Sequence, residues 1–283
     1  MGFVWGIPYL LIKVAVTDLS PPTLVLARTA IGAAILLPVA AIRGALAPLR
    51  PYWKVIAFYT VIEVAGPWLL LSHAEQALSS SLTALMVAGV PLIGAVLAWR
   101  TGDRDRLDGR TVAGLLVGLA GVALLVGLDV SVRDWVAVIE VALVALGYGA
   151  GAMVISRWLA GAPAYGVIAA SLTLTALVYA PAGIALAPTH MPSAQVLGAV
   201  AGLGLVCTVV AFIAFFALIA EVGPVRATVI TYVNPAVALI LGVLLLGEPL
   251  TLGSVLGFVL IIAGSAMTAR RPTRVAAPLV AEP

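Results

Sequence analysis

Charge is scarce in this chain: Asp, Glu, Lys and Arg together make up 10% of it, against roughly 25% in an ordinary soluble protein. That scarcity excludes a soluble globular domain, which needs polar surface to cover its core. Cysteine occurs once, as Cys207 within an apolar run. No disulfide can form inside the chain, and the redox compartment is not indicated. The two histidines, His73 and His190, lie far apart. Motifs for catalysis are missing: there is no Walker loop, no His-Glu-x-x-His and no Gly-x-Ser-x-Gly. Asp103, Asp105, Asp108 and Gly109 resemble a calcium loop only superficially. Their spacing is off by one, the closing glutamate is absent and arginines interleave. No metal, cofactor or catalytic residue is therefore expected, and the chain is not expected to be an enzyme.

Apolar length is what the sequence has in abundance. Hydrophobic residues make up 63% of 283, and mean hydropathy is +1.19. A bilayer-crossing helix needs about 20 apolar residues. Runs of that kind cover 2–17, 21–42, 53–73, 78–99, 111–128, 134–158, 165–187, 194–219, 225–246 and 250–269. Proline and glycine mark the joins at Pro21-Pro22, Pro48, Pro51, Pro163, Pro188, Pro192 and Gly223-Pro224. The runs are continuously apolar, not alternating, which predicts an all-α polytopic bundle of ten transmembrane helices and not a β-barrel. Residues 270–283, with three arginines and three prolines, read as a short disordered tail. The net charge of +3 fits membrane topology better than nucleic acid, because the arginines sit between apolar runs.

Those basic residues set the expected orientation. Arg43, Arg50, Lys54, Arg100, Arg104, Arg106, Arg110, Arg157, Arg226, Arg270, Arg271 and Arg274 fall in the connections after even-numbered spans or in the tail. Only Arg133 falls on the other side, while Lys13 and Arg28 lie within spans. This bias predicts both termini in the cytoplasm. Trp53, Trp99, Trp135 and Trp158 lie at span ends, where interfacial anchors belong.

Shifted by 143 residues, the chain matches itself. Trp5-Gly6 falls on Tyr148-Gly149, Arg28 on Ser171, Pro38 on Pro181, Asp105 on Glu248, Gly114 on Gly257 and Gly121 on Gly264. A one-residue slip places Val90-Pro91 on Asn234-Pro235. The expected domains are a first five-helix repeat over 1–128 and a second over 134–269, followed by the tail. An odd number of spans per copy inverts the second copy, which is the plan of secondary transporters with a midplane site. Span 1 has about ten fewer residues than span 6 ahead of the matched glycines. The native product is accordingly expected to begin upstream of Met1, or the chain to be a truncated copy.

Several motifs resemble one family. Tyr232-Val-Asn-Pro235, Leu246-Gly-Glu-Pro-Leu250, Gly257 and Gly264 resemble the closing half of EamA-like members of the drug/metabolite transporter superfamily. Trp5-Gly6, Ile12-Lys13, Ser20-Pro21 and Ala27-Arg28 resemble that family's opening. The acidic motif of the first half departs from the pattern, reading Gly102-Asp-Arg-Asp-Arg-Leu107. The resemblance implies ten helices in two inverted repeats and transport of small metabolites, often export of amino acids or related compounds.

Ionisable groups inside a bilayer cost about 2.5–3.5 kcal/mol each on insertion scales, so they line cavities or find partners. Trp5, Tyr9 and Lys13 are spaced four apart on one helical face. That face either holds a substrate, or Lys13 snorkels to the outer boundary. Arg28 lies too deep to snorkel and is expected to bind an anion or, preferably, to pair with Glu63 or Glu140. Ser171 is its counterpart in the other repeat. Glu63 has Tyr59, Pro67 and Trp68 nearby and reads either as a coupling carboxylate or as a permanently paired one; desolvation favours the proton-bound form of such a group. Glu140 and Tyr148 share a face of span 6, with Glu140 expected in a solvated vestibule. Tyr232 and Asn234 offer polar contacts in span 9. The expected substrate contacts are thus Trp5, Tyr9, Lys13, Trp68, Tyr148, Tyr232 and Asn234, with Arg28, Glu63 and Glu140 in coupling or gating. Glycines at 114, 118 and 121 and at 253, 257 and 264 are expected in close helix packing. Glu248 is expected to be a helix-end or packing element.

The favoured reading is a secondary transporter in the inner (plasma) membrane that moves a small amino-acid-like or drug-like metabolite by alternating access, as an exporter. Import by proton symport is the alternative of the same kind. An intramembrane lipid-modifying enzyme and a structural membrane subunit are the alternatives of other kinds. The expected partners are a small-molecule substrate, the lipid bilayer, protons and a second copy of the chain, and not nucleic acid.

Overall fold

Backbone amides in a bilayer have no water to bond, so apolar runs must close their hydrogen bonds within themselves, as helices. The computed structural model describes residues 2–101, 109–129, 134–222 and 233–268, and among them it contains helices and no strand. Among the described residues, seven helical segments are long and apolar enough to cross a membrane: Pro21–Ile42, Ala47–Ala77, Ser80–Leu97, Gly109–Gly127, Trp135–Trp158, Ala164–Ala185 and Ala194–Leu218. Three apolar helices are shorter: Gly2–Ala15, Asn234–Leu246 and Leu252–Thr268. The tail 270–283, the Asp103–Asp108 turn, Arg133, Arg226 and Tyr232 lie outside the described residues.

In chain order the elements are α1 (Gly2–Ala15), α2 (Pro21–Ile42), α3 (Trp53–Tyr59), α4 (Gly66–Ala77), α5 (Ser80–Val87), α6 (Val90–Arg100), α7 (Gly109–Asp129), α8 (Trp135–Trp158), α9 (Ala164–Ala185), α10 (Ala194–Ala201), α11 (Ala211–Val222), α12 (Asn234–Leu246) and α13 (Leu252–Thr268). A 3-10 turn, Ala47–Tyr52, leads into α3. Two π-helical segments complete the list: Thr60–Ala65 joins α3 to α4, and Gly202–Val210 joins α10 to α11. Shifting 60–65 by the repeat offset of 143 gives 203–208, inside the second π segment. Serines start several helices by accepting a backbone N–H three residues on: Ser20 from Thr23, Ser79 from Leu82 and Ser193 from Val196. Proline then occupies the first turn of α2, α6 and α12, where no N–H is needed.

Helix pairing is set by small residues. α7 packs along α13, and α2 along α9. At the first seam a Cβ on Gly264 would lie 2.5 Å from both the Gly114 carbonyl oxygen and the Gly118 nitrogen. One on Gly121 would lie 2.9 Å from the Ile261 nitrogen. The expected close packing by these glycines is what brings the two backbones together. Elsewhere, α8 packs against α4, α5 and α6, while α1 packs against α10, the second π segment and α12. Gly6 of α1 lies against Val237 of α12, and Gly149 of α8 lies against Ile93 of α6. The glycines are 143 positions apart and Ile93 and Val237 are 144 apart, the local one-residue slip.

The outer surface is apolar. Four tryptophans at helix ends are well exposed (Trp53 63%, Trp99 43%, Trp135 50%, Trp158 52%), whereas Trp68 is only 7% exposed. The first four match a membrane-interface belt; Trp68 belongs to the interior.

Candidate polar centre and its two ends

Arg28 sits two turns into α2 and is 7% exposed. Its Nε donates to Thr208 Oγ1 at 3.1 Å. Thr208 in turn donates to the Leu203 carbonyl, five residues back, at 2.8 Å. The guanidinium carbon lies 3.6 Å from the centroid of the Trp68 ring, a cation–π stack. Trp68 stands in the first turn of α4, immediately after the first π segment. Tyr9 of α1, Tyr148 of α8 and Cys207 are close enough to couple electrostatically to Arg28. Two aromatic hydroxyls, one indole and one guanidinium thus converge beside Thr208 of the second π segment.

The expected pairing of Arg28 with Glu63 or Glu140 is not what the structure contains. Neither carboxylate is a hydrogen-bond or ion-pair partner of Arg28 among the described residues. Glu140 bonds His73 Nδ1 instead, at 2.8–2.9 Å, because α8 runs beside α4 and not beside α2 there. His73 lines a cavity of about 350 Å³ together with Gln76, Ala77, Asp134, Val136 and Ala137. An ion pair with so exposed a histidine, 55% accessible, adds little: His73→Ala is expected to change thermal stability by less than about 1 kcal/mol, as read by unfolding in detergent.

Glu63 lies in the first π segment. Its Oε2 is buried without a hydrogen-bond partner and rests over Gly151 of α8, where a Cβ would strike the carboxylate. Tyr59 and Tyr148 are its electrostatic neighbours. Tyr179 of α9 donates to the Ala65 carbonyl at 3.0 Å, occupying one acceptor of the π turn. Ser171, the repeat counterpart of Arg28, is fully buried with an unpartnered hydroxyl.

Trp5, Tyr9 and Lys13 share one face of α1 but meet three different surroundings. Trp5 packs on Phe212 and Phe215 of α11, with ring centroids 5.9 and 4.8 Å away. Phe216 and Tyr165 continue this aromatic cluster, and Arg43 lies over Tyr165. Tyr9 joins the Arg28 centre. Lys13 neither snorkels nor stands free: its Nζ donates to the main-chain carbonyls of Glu75 (2.6 Å) and Leu78 (2.7 Å). It caps the C-terminus of α4, where helix carbonyls carry partial negative charge. Asn234 opens α12, and its carbonyl faces Gly6.

Glu248 is a helix-end element, as expected, but for α5, far from it in sequence. Gly247 adopts φ +65°, the left-handed conformation glycine favours, and this turns Glu248 back across the bundle. Its carboxylate accepts from the Ser80 N–H (2.7 Å), the Ser81 N–H (3.0 Å) and the Ser81 hydroxyl, capping α5. Gly242 leaves the room: a Cβ there would meet Glu248 and Ser81.

Sequence reasoning missed Thr208 and Glu75. Glu75 is 0% exposed, and both carboxylate oxygens lack a partner. Ending span 3 at residue 73 had placed Glu75 in a connection, yet α4 continues to Ala77. The signal was present: Trp68, Leu71, Ser72 and Glu75 follow the i, i+3, i+4, i+7 spacing of one helical face. Among the described residues no cluster of three or more His, Cys, Asp and Glu could hold a metal ion.

These features define an all-helical membrane protein with a polar centre between packed helices. The chain belongs to the EamA-like transporter family, whose model matches residues 1–127 and again 135–270. It is similar to proteins described as "Uncharacterized inner membrane transporter YedA" from Escherichia coli strain K12 and from E. coli O157:H7. In each case 29% of 256 residues are identical, over 88% of this chain and 81% of the relative. A protein of known crystal structure shares the fold, with TM-score 0.68, 23% identity and 94% of each chain covered.

Proposed function

We propose that the chain is a secondary transporter of the inner membrane that exports a small amino-acid-like or drug-like metabolite by alternating access. The two halves would be inverted five-helix repeats, ten crossings in all, with both termini cytoplasmic. The observation that carries this reading is Arg28: a buried guanidinium that reaches from the first half to Thr208 of the second. Among the described residues it makes one hydrogen bond, which leaves four of the five N–H donors of an arginine uncommitted. A cation with free donors between aromatic walls suits a carboxylate-bearing or planar solute.

Further observations support the two-repeat plan. The family model matches twice. The π segments correspond at the repeat offset, as do the Gly6 and Gly149 contacts. The packing partners also exchange: α8 with the third and fourth spans mirrors α1 with the eighth and ninth. The relatives' description as inner membrane transporters supports the location. In this orientation the Lys13–Glu248 end faces outward and the aromatic cluster faces the cytoplasm.

Glu63 is the proposed coupling carboxylate of the centre. Labelled flux in proteoliposomes, using a compound found by resistance screening of an overexpressing strain, tests the reading. Glu63→Gln keeps shape but cannot ionise. It is expected to retain exchange down a gradient and to lose accumulation driven by a pH difference. Uphill accumulation with unchanged pH dependence in Glu63→Gln would make Glu63 structural. No flux of any screened compound through the wild-type protein would favour a structural membrane subunit.

A further inference from the structure

Glu75 is the most completely sealed acid among the described residues, and no charged group around it bonds its carboxylate. Lys13 of α1 spends its ammonium on two main-chain carbonyls at the end of α4. Glu248, beyond α12, spends its carboxylate on the N–H groups at the start of α5. Arg28 of α2 stacks on Trp68 and bonds Thr208. Tyr9 of α1 and Tyr148 of α8 complete the titratable groups that couple to Glu75. None of these gives its carboxylate a hydrogen bond. Lys13 and Glu248 carry opposite charges and sit at the two termini they satisfy, so an ionised Glu75 adds a negative charge with no donor of its own. An ionised carboxylate without a partner in a dry interior is far costlier than a neutral one.

The position matters as much as the burial. Lys13 and Glu248 both belong to the group of helices that packs around α1, and both grip the α4–α5 corner, where that group meets the one around α8: α4 packs mainly on α8, and α5 packs on α12 and α1 as well as on α8. The corner is therefore the clasp between the two groups at one end of the bundle, and Glu75 lies inside it. Separating the groups there would admit water to Glu75.

We propose that Glu75 is the proton-binding residue of the outer gate: the closed clasp holds Glu75 as the neutral acid, and opening releases its proton to the outer aqueous phase. Closure takes one proton from outside water onto the carboxylate, with no other change of charge, because Lys13 and Glu248 are balanced by main-chain groups. The assignment deepens the alternating-access reading and rests on it. The sign follows from linkage: the closed state binds one proton more than the open state, so the closed-to-open ratio falls as pH rises, by at most about tenfold per pH unit.

The test needs no substrate. The full chain with Cys207→Ser, Ala77→Cys and Leu250→Cys is spin-labelled in proteoliposomes, and the distance between labels is followed from acid to alkaline pH. Ala77 and Leu250 are both exposed and flank the clasp from opposite groups. The expected result is a closed population that declines with pH in the parent and in Glu75→Asp, and stays closed at every pH in Glu75→Gln. Glu63→Gln should retain the decline. A decline that persists unchanged in Glu75→Gln overturns the Glu75 assignment alone and leaves alternating access standing. A parent distance that never changes, with pH or with any transported compound, overturns both. If Glu75→Gln does not fold, Glu75→Asp decides: loss of the pH response in a folded Glu75→Asp protein also overturns the proposal.

Discussion

Arg28→Met is expected to abolish transport, lowering flux at least about a hundredfold, while leaving the protein as stable as before or more so. Burying a cation costs several kcal/mol of desolvation, and that cost is recovered only by a well-bonded counter-charge. Among the described residues Arg28 has a hydroxyl and a ring face but no carboxylate partner. Methionine approximates its length, and its sulfur keeps a favourable contact with Trp68. Thr208 retains its own acceptor at Leu203. Removal therefore strands no buried group. The pairing with Glu63 or Glu140 that the sequence suggests would give the opposite result, because loss of one partner of a buried ion pair strands the other. An unchanged or raised melting temperature with flux lost would mark Arg28 as a residue kept for function at a cost in stability. A large drop in folded protein would return it to a structural role.

Gly264→Leu is expected to have the largest effect on folding. At this seam the obstacles are backbone atoms, the Gly114 carbonyl oxygen and the Gly118 nitrogen, each 2.5 Å from the added Cβ. No rotamer change relieves such a contact, so α7 and α13 must separate along their length. Overpacking costs about 1–3 kcal/mol, and more when backbone must shift; 3 kcal/mol is roughly a hundredfold in the folded fraction. Gly127→Leu on α7, where nothing lies within 4 Å of a Cβ, is the matched control and should be neutral. Monodisperse protein recovered from the membrane fraction is the readout. Equal recovery of the two variants would mean that the seam is not needed for folding.

The contrast between these two positions shows what was legible in the sequence. Spans, interfacial tryptophans and the glycine seam follow from composition and spacing, because lipid imposes length and close packing imposes small residues. The residues of the polar centre were recognisable one at a time, since an ionisable group in an apolar run stands out. Their partners were not. Thr208 is an unremarkable residue of span 8 until a π turn directs it at Arg28, and no periodicity marks a π turn. Lys13 and Glu248 bind main-chain groups, which the sequence does not display. Glu75 was overlooked because a polar Glu-Gln pair reads as a helix end, whereas α4 carries it one more turn into the protein.

The grip of Lys13 and Glu248 on main-chain atoms also bears on how the clasp can drift in evolution. Substitution at positions 75 and 78 cannot delete the carbonyls that Lys13 uses, and substitution at 80 and 81 leaves the amide N–H groups that Glu248 uses. Apart from the Ser81 hydroxyl, which also donates to Glu248, the side chains of the corner take no part in either hold, whereas loss of either gripping residue removes the charged partner itself. An alignment of relatives searched for co-varying positions should then find both residues fixed or lost singly, with no partner column, although Lys13 ties α1 to the end of α4 and Glu248 ties the end of α12 to α5.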